Sequence, residues 1–455
     1  MSIIVSNKIL IENVNQSVLD WCKDNLEFTN PEFAKKQNMG LWTGNIEPKI
    51  VLWEKKGNSV LLPYGCLESL FLSPRQPEHY IEYKSTIQPY EYQRKCINAC
   101  FGKTGVIVMP CGSGKTQTAL ELVARYGART LWITHTQELL NQSKERAAAC
   151  FDIDEKTMGT ITGGKINVGE SITFATVQTM SKIDLTPYTD YWDVIIVDEC
   201  HKAVGTPTKL MMFYKVVSQL NASIKVGLTA TPKRNDGLEM CMYYLLGRKL
   251  YEVQEEEVKA NTVPINVYMV ESEEYRLDSS AVTNPDGTLN YTSLIQSVCD
   301  CTPRNEYIAR IVNWYNNQGK TCLVLSDRVE HLKELRRLIG ENYTKQIFAK
   351  VGSKAARQER KECLSLLKDK KIRCLFATYQ LAKEGLDIPS LDCVLFATPK
   401  KDQITVIQSA GRVGRKALGK SVGIVLDIVD VNFSVFKNYA KLRKNMYKKK
   451  KFKIF

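Results

Sequence analysis

Short apolar runs separated by polar loops make up most of the chain from about residue 86 onward. The first series is GVIVMP, TLWITH, SITFAT, DVIIVD and KVGLTA, and the second, after residue 265, is TCLVLS, RCLFAT, CVLFAT and VGIVLD. Continuous apolar runs of this length are typical of parallel strands buried on both faces. The pattern predicts two successive α/β domains, over residues 86–264 and 265–430, with ligand sites at the carboxyl ends of their strands.

A different pattern occupies residues 1–85. The run IIVSNKILIENV is strand-like, and in the following QSVLDWCKDNL the residues Val18, Cys22 and Leu26 recur at helical spacing. KIVLWE and SVLLPYG flank the polar KKGN, which predicts a β-hairpin. We therefore expect a small accessory α+β module, with DNA binding as one use for it.

The charge of the chain predicts a polyanionic partner. The net charge of +14 favours a polyanion, because each phosphate that Lys or Arg neutralises releases condensed counterions. Residues 431–455 are interpreted as a basic tail that either holds duplex DNA or is a disordered, solubilising end. Residues 252–290 are acidic and are interpreted as a solvated linker with an edge hairpin; the alternative is that residues 270–290 form a gate that competes with DNA.

Several classes of protein are disfavoured. The sequence has no apolar run of the ~18–20 residues that span a bilayer, and its first residues lack the basic-then-apolar order of a secretory signal. The prediction is a soluble, intracellular protein that does not bind membranes. The fourteen cysteines are scattered, without a CxxC pair and with only four histidines, so we expect buried thiols and no zinc site.

The strongest local signal is VIVMPCGSGKT, in which a strand pattern leads into a glycine-rich turn and a helix pattern follows. Such a turn points backbone N–H groups at phosphate oxygens at a helix N-terminus. We expect Lys115 to bridge the β- and γ-phosphates of ATP and Thr116 to coordinate Mg²⁺. The predicted phosphate-binding loop comprises Cys111, Gly112, Ser113, Gly114, Lys115 and Thr116. Met109 stands where the consensus has its first glycine.

A second signal lies about eighty residues further on, where DVIIVDECH ends an apolar strand with two carboxylates. One carboxylate at a strand end can complete a magnesium shell, and a neighbour can polarise the attacking water. We assign the first role to Asp198 and the second to Glu199. Alone, the pair could be a solvated loop; together with the phosphate-binding loop it predicts an ATP hydrolase.

These motifs, in this order, resemble those of the superfamily 2 helicases over residues 87–416. The resemblance implies two tandem RecA-like domains and a motor driven by ATP and Mg²⁺. IQPYEYQ resembles the adenine-recognition motif, so Gln93 is expected to read adenine, and ATYQLAKEGLDIP implies that Gly385 and Asp387 face the nucleotide. The implied nucleic-acid contacts are Thr136, Gly163, Gly164, Thr176, Gln178 and Thr378. The implied coupling residues are His201, Thr229 and Thr231.

QSAGRVGR resembles the last helicase motif and contributes Gln408, Arg412 and Arg415. Residues three apart share one helix face, so the two guanidinium groups are expected to point into one cleft. Supplied by the second domain, they would stabilise the transferring phosphoryl group only when the domains close, which would tie hydrolysis to closure.

The finer resemblance is to the branch that includes XPB-type DNA translocases, poxvirus transcript-release helicases and UvsW-type phage helicases. It implies a monomeric motor that remodels branched DNA such as forks, D-loops and Holliday junctions, at a bacterial nucleoid or a viral replication site. A transcript-release or RNA–DNA unwinding motor is the alternative within the class, with RNA as its partner. A non-catalytic binding module is the alternative outside it, which the intact Lys115, Asp198, Glu199, Arg412 and Arg415 disfavour.

Overall fold

The computed structural model describes most of the chain and divides it into two compact units, Met1–Glu257 and Val258–Phe455. The described residues are 2–110, 112–203, 212–234, 237–258, 262–276, 282–284, 288–340, 344–347, 362–367, 369–380, 388 and 390–455. Each unit is built around its own parallel β-sheet.

The first unit opens with a small α+β module, as the sequence predicts. Its elements are β1 (Ser2–Val5), β2 (Lys8–Glu12), α1 (Gln16–Leu26), β3 (Glu27–Thr29), α2 (Pro31–Asn38), β4 (Lys49–Val51), β5 (Glu54–Lys56) and β6 (Ser59–Pro63). Strands β1, β2, β6 and β5 form an antiparallel sheet in that order, and β3 pairs with β4. KIVLWE is therefore two strands rather than one, because the amide of Leu52 still donates to Leu26 while Glu54 already pairs with Leu61.

This module packs on the parallel sheet that follows it. The Tyr64 hydroxyl donates to the carbonyl of Ser223 over 2.6 Å, and the Lys225 ammonium lies 4.4 Å from the centre of the Tyr64 ring. A Cβ at Gly65 would lie only 2.3 Å from the carbonyl oxygen of Tyr243, so the two layers approach at backbone distance. The apolar core of the module also includes Cys241 from the helix Glu239–Leu246.

The parallel sheet of the first unit has eight strands in the order β10-β9-β11-β8-β12-β13-β7-β14. The strands are β7 (Gly105–Val108), β8 (Thr130–Thr134), β9 (Gly159–Thr162), β10 (Lys165–Asn167), β11 (Ile172–Thr176), β12 (Val194–Asp198), β13 (Ile224–Thr229) and β14 (Lys249–Glu252). The helices are α3 (Glu91–Cys100), α4 (Lys115–Tyr126), α5 (Gln137–Cys150), α6 (Val177–Met180), α7 (Met212–Val217), α8 (Glu239–Leu246) and α9 (Glu255–Val258). Every pairing in it is parallel except β9 with β10, and the five predicted apolar runs are all strands.

The sheet of the second unit has seven strands in the order β17-β18-β16-β19-β20-β15-β21, all parallel. The strands are β15 (Ile265–Ser272), β16 (Cys322–Ser326), β17 (Thr344–Ile347), β18 (Cys374–Thr378), β19 (Cys393–Phe396), β20 (Gly423–Asp430) and β21 (Lys453–Ile454). The helices are α10 (Tyr291–Cys299), α11 (Thr302–Asn317), α12 (Val329–Ile339), α13 (Gln403–Ala410) and α14 (Ser434–Lys449). Two parallel sheets preceded by an α+β module confirm the predicted fold class.

Residues 431–455 differ from the predicted tail. Most of the segment is the helix α14, which buries Phe436, Met446 and Tyr447, and β21 then extends the second sheet beside β15. The prediction considered the many lysines and overlooked the apolar side chains that recur between them at helical spacing. Burial of those apolar side chains holds the segment on the sheet.

The described parts of the acidic stretch 252–290 include packed elements, which a solvated linker would not contain. Glu252 ends β14, residues 265–272 form β15 inside the second sheet, and Tyr275 is buried against Phe433 and Phe436. Thr283 and Leu289 form an isolated antiparallel bridge, and the amide of Asn284 donates to the carbonyl of Thr288, contacts that the predicted hairpin requires. Residues 277–281 and 285–287, which include the last three residues of NPDG, lie outside the described residues.

The cysteines of the described residues are all free thiols, and all but Cys301 are buried, as expected of small apolar side chains. None of the helices described has the length and apolarity needed to cross a membrane.

Candidate nucleotide-binding site

The predicted chemistry of the first unit gathers along one edge of its sheet. Strands β7, β8, β11, β12 and β13 run parallel, and the motif residues follow their carboxyl ends. Asp198 is the last residue of β12, Thr229 the last of β13 and Thr176 the last of β11. The phosphate-binding loop follows Val108 of β7. In parallel α/β sheets this edge is where ligands bind.

The phosphate-binding loop has the backbone that its glycines predict. Gly112 and Gly114 adopt φ values of +81° and +77°, which side chains rarely tolerate. Gly114 is the N-cap of α4, which begins at Lys115, and it leaves the first N–H groups of that helix without a side-chain cap. A Cβ at Gly112 would meet nothing within 4 Å. The loop therefore offers an open helix N-terminus, which suits a phosphate group. Cys111 lies outside the described residues.

Two residues upstream of the loop hold it from behind. The Tyr92 hydroxyl and the Gln93 amide both donate to the carbonyl of Ser113, over 2.9 and 3.0 Å. The Gln93 side chain also accepts from the amide of Tyr90 over 2.9 Å and so caps α3. A Cβ at Gly114 would lie 2.6 Å from the Gln93 amide nitrogen. Gln93, expected to read adenine, thus also fixes the shape of the phosphate-binding loop.

The paired carboxylates are buried and electrostatically coupled. Burial and the neighbouring Glu199 raise the pKa of Asp198 to about 7, although Lys115 acts in the opposite direction. Burial would also raise the pKa of Glu199, but the charges of Lys115, His201 and Lys202 outweigh it and hold that pKa below its ordinary value. Lys115 is therefore close enough to both carboxylates to influence them. Glu199 adopts the left-handed conformation, with φ +52°, which is uncommon for a residue other than glycine.

A chain of polar contacts links the carboxylates to the end of β13. The Nδ1 atom of His201 lies 3.3 Å from Glu199 Oε2 and 3.1 Å from the hydroxyl oxygen of Thr229. The Thr229 hydroxyl in turn accepts from the amide of Thr231 over 3.1 Å. The three predicted coupling residues are therefore connected to one another and to Glu199.

Basic residues that the sequence did not indicate as functional lie around these polar contacts. Arg234 donates to the carbonyl of His201, and the Lys202 ammonium contacts His135 Nε2. His135 follows β8, and Gln178 donates to its carbonyl over 2.6 Å. Each lies within three residues of a motif residue in the sequence, but only the fold brings the loops after β8, β11 and β12 together.

The expected nucleic-acid contacts of the first unit occupy neighbouring loops, where several also support the backbone. The Thr136 hydroxyl caps α5 by accepting from the amide of Leu139, and the Thr176 hydroxyl lies within hydrogen-bond distance of the hydroxyls of Thr162 and Thr179. Gly163 and Gly164, with φ +59° and +76°, form the exposed turn between β9 and β10. Their role on a nucleic-acid strand stays a prediction.

In the second unit, the motif with two arginines departs from the predicted helix face. Helix α13 includes Gln408 but ends at Ala410, Arg412 lies in the following turns, and Arg415 pairs in an extended bridge with Thr262. The prediction that both arginines share one helix face is therefore wrong. The reason is local, since Gly411 and Gly414 interrupt the helix and the Gly414 carbonyl accepts from the amide of Val263. Thr378 ends β18, whereas Gly385 and Asp387 lie outside the described residues.

The site fits a nucleoside triphosphate with a divalent cation. The open N-terminus of α4 and Lys115 suit a polyphosphate, and Thr116 with Asp198 would hold the cation. The burial of Asp198 at the end of β12 supports this fit, because buried charges in proteins are paired or coordinate metal ions.

Models of known protein families match both sheets. The family described as "Type III restriction enzyme, res subunit" matches residues 86–234, and that described as "Helicase conserved C-terminal domain" matches residues 304–417. The first match contains the phosphate-binding loop and the Asp198–Glu199 pair, and the second contains Gln408, Arg412 and Arg415.

Curated relatives extend over most of the chain. A protein of Acanthamoeba polyphaga mimivirus, named as a predicted ATP-dependent RNA helicase, is 27% identical over 93% of this chain and 79% of its own length. A DNA 3'-5' translocase of the XPB type from Sulfurisphaera tokodaii is 25% identical over 73% of this chain and 80% of its own length.

The chain was matched to two solved structures, of which Hef shares the fold. The helicase domain of Pyrococcus furiosus Hef aligns with 78% of this chain and 98% of its own, with a TM-score of 0.53 and 18% identity. The crystal structure of T4 UvsW covers 100% of this chain and 99% of its own, with a TM-score of 0.43 and 19% identity. The Hef likeness supports two tandem RecA-like domains.

Proposed function

The chain belongs to the superfamily 2 helicases, and on this premise we propose that it is an ATP-dependent DNA helicase or translocase that remodels branched DNA. The proposed substrates are forks, D-loops and Holliday junctions, and the proposed processes are recombination, replication or repair. The observation that carries the motor activity is that the open N-terminus of α4, which begins at Lys115, and the Asp198–Glu199 pair follow parallel strands of one sheet at the same edge.

The proposed roles follow from the environment of each residue. Lys115 and the open N-terminus of α4 bind the phosphates, and Thr116 and Asp198 hold Mg²⁺, which when bound neutralises phosphate charge. Glu199, whose lowered pKa keeps it ionised, accepts a hydrogen bond from the attacking water and orients it. Gln408, Arg412 and Arg415 of the second unit are proposed to act on the transferring phosphoryl group, as their motif predicts.

The contacts among Glu199, His201 and Thr229 support a coupling route. His201 Nδ1 contacts both the Glu199 carboxylate and the Thr229 hydroxyl. When the hydrogen bonds of Glu199 change, its contact with His201 changes, and with it the contact between His201 and Thr229. Thr229 holds the amide of Thr231 and therefore the turn that follows β13. We propose that the state of the nucleotide reaches the nucleic-acid track through this turn.

DNA is proposed as the track because the XPB-type relative is named as a DNA translocase. A second candidate has an observation of its own: the mimivirus relative, which covers more of the chain, is named as an RNA helicase. A transcript-release or RNA–DNA unwinding motor is therefore the alternative. The intact hydrolytic residues disfavour a purely binding role.

One experiment separates these functions. ATP turnover of the full chain would be measured with single-stranded DNA, blunt duplex, forked DNA, RNA and an RNA–DNA hybrid at one salt concentration, with Lys115→Ala as the matched inactive control. We expect the largest stimulation by forked DNA. Stimulation by RNA or the hybrid alone would replace the DNA assignment with the alternative, and no stimulation by any of them would remove the motor function.

A further inference from the structure

Helix α14 presents a row of lysines on one exposed face. Lys437, Lys441, Lys444 and Lys448 are all exposed and are spaced by four, three and four residues. At ~100° per residue these positions fall within roughly 60° of one another around the helix axis. We call these four side chains the lysine row. Along the axis it extends about 16 Å, at 1.5 Å per residue.

The opposite side of the helix fixes the row in place. Arg443 and Asp427 of β20 form a buried two-pronged ion pair, with nitrogen-to-oxygen distances of 2.8 and 2.7 Å. The Tyr447 hydroxyl donates to the same carboxylate over 2.8 Å, and Arg443 also donates to the carbonyl of Lys400. The helix therefore has a defined rotation about its axis, and the lysine row faces a defined direction.

The chain following the helix provides a second anchor. Residues Lys453–Ile454 add β21 to the sheet, and the Phe455 ring stacks on Tyr268 at 4.9 Å between ring centres. The amide of Phe455 donates to the carbonyl of Val267 over 2.9 Å. The helix itself is thus tied to β20 and the chain that follows it to β15, so the row is a fixed surface.

The charges of the row have no counterpart within the described residues. No ion pair or hydrogen bond links these four side chains to the rest of the described chain, and no acidic residue occurs between 431 and 455. Like charges three or four residues apart on a helix destabilise it by about 0.2–0.5 kcal/mol per pair. A solvated face that served solubility alone would not require the charges to be aligned in this way.

We propose that the lysine row binds the phosphate backbone of the nucleic acid on which the motor acts, a proposal that rests on the proposed function. Lysine ammonium groups bind phosphates as point charges and do not read bases. With phosphates rising 3.4 Å along each strand, a row of about 16 Å spans roughly five phosphates of one strand. The contact would therefore be independent of sequence and sensitive to salt.

The test uses three variants of the full chain. In the first, Lys437, Lys441, Lys444 and Lys448 are all replaced by Gln; in the second the same four are replaced by Arg, which keeps the charge. The matched control replaces four exposed lysines of the first unit by Gln and so changes the net charge equally: Lys103, Lys156, Lys182 and Lys215. Affinity for forked DNA, duplex DNA and single-stranded RNA is measured without ATP between 50 and 200 mM salt.

The Gln variant of the row is expected to reduce the slope of log affinity against log salt by about 3.6 on duplex DNA, since each of the four lost phosphate contacts contributes about 0.9, and by about 2.8 on single strands, where each contributes about 0.7. Affinity should fall at least about tenfold at 50 mM salt, while the Arg variant and the control stay close to the unaltered protein. Equal losses in the row variant and the control would overturn the proposal, because they would indicate net charge alone. An unchanged slope would also overturn it.

The readouts keep this proposal separate from the proposed function. Binding is measured without nucleotide, so a motor that fails to hydrolyse ATP can still show the contribution of the row. Conversely, ATP turnover at saturating nucleic acid should be nearly unchanged in the Gln variant, because the hydrolytic residues are untouched. Thermal unfolding of each variant checks that the substitutions leave the buried Arg443–Asp427 pair intact.

Discussion

Gly114 shows how much of the candidate site depends on single residues. Gly114 precedes α4 with a positive φ, and its missing Cβ leaves space for the Gln93 amide nitrogen, which would lie only 2.6 Å from a Cβ at this position. Gln93 uses that space to support the carbonyl of Ser113. The glycine therefore serves both the phosphate-binding surface and the packing behind it.

Lys115→Ala is expected to lower ATP turnover by about a hundredfold or more, because the variant loses the positive charge that meets the developing phosphate charge. Nucleic-acid affinity without ATP should change by no more than a few-fold, since the predicted track contacts lie in other loops. Steady-state hydrolysis and fluorescence anisotropy measure the two quantities. Turnover near that of the unaltered protein would contradict the assigned role.

Glu199→Gln is expected to keep nucleotide affinity while lowering hydrolysis by roughly a hundredfold, the usual contribution of a group that assists proton transfer. The amide cannot accept the proton, yet it has nearly the same shape. The predicted consequence is tight nucleic-acid binding in the presence of ATP without product release. Loss of nucleotide affinity instead would mean that the roles of Asp198 and Glu199 are exchanged.

At the scale of elements, α14 is held on its sheet by polar contacts as well as by apolar burial. Arg443 and Asp427 are almost entirely inaccessible to solvent, at 1% and 0% exposure of their side chains. Desolvation makes such a pair costly to bury, but removing one partner costs more because the other charge stays behind.

Arg443→Leu is therefore expected to destabilise the second unit by about 3–5 kcal/mol. The double variant Arg443→Leu with Asp427→Leu should recover most of this loss, because it leaves no unpaired charge in the core. Urea unfolding followed by circular dichroism measures both. If the single and double variants were equally unstable, lost packing rather than the unpaired carboxylate would be the cause.

At the scale of the whole molecule, the accessory module is part of the first unit rather than a separate body. Lys225 of β13 is fully buried beneath it, donates to the carbonyl of Val217 over 3.2 Å and faces the Tyr64 ring. Burial, together with the nearby Arg75, lowers the pKa of Lys225 to about 7.

The stability of this packing should depend on pH. Between pH 7 and 10.5 the unfolded chain holds a proton on Lys225 that the folded chain has largely released, so stability rises with pH in this window. Below pH 7 the folded protein bears the full cost of a buried charge. Lys225→Met, which removes that cost, should therefore melt above the unaltered protein at pH 7, and the difference should shrink toward pH 10.

Melting temperatures of both proteins across this range provide the measurement, with Lys215→Met as the control because Lys215 is exposed. The control should show no difference that changes with pH. A difference between Lys225→Met and the unaltered protein that stayed constant from pH 7 to 10 would contradict the lowered pKa.

The sequence by itself determined the class of fold and the hydrolytic motifs. Buried parallel strands must be apolar on both faces, so runs such as GVIVMP and DVIIVD identify strands without knowledge of their neighbours. Phosphate-binding loops also have local causes, because Gly112 and Gly114 supply the required backbone wherever the chain folds. These features depend on contacts a few residues apart, which a sequence displays directly.

Only the tertiary structure decided which elements meet. It made a helix and a strand of the lysine-rich segment, because the apolar face of α14 becomes favourable only against β20. It also brought His135, which follows β8, into contact with Lys202, which follows β12, and ended α13 before Arg412. Contacts between residues distant in sequence depend on the register of strands and on burial, and neither is visible in composition or motif spacing.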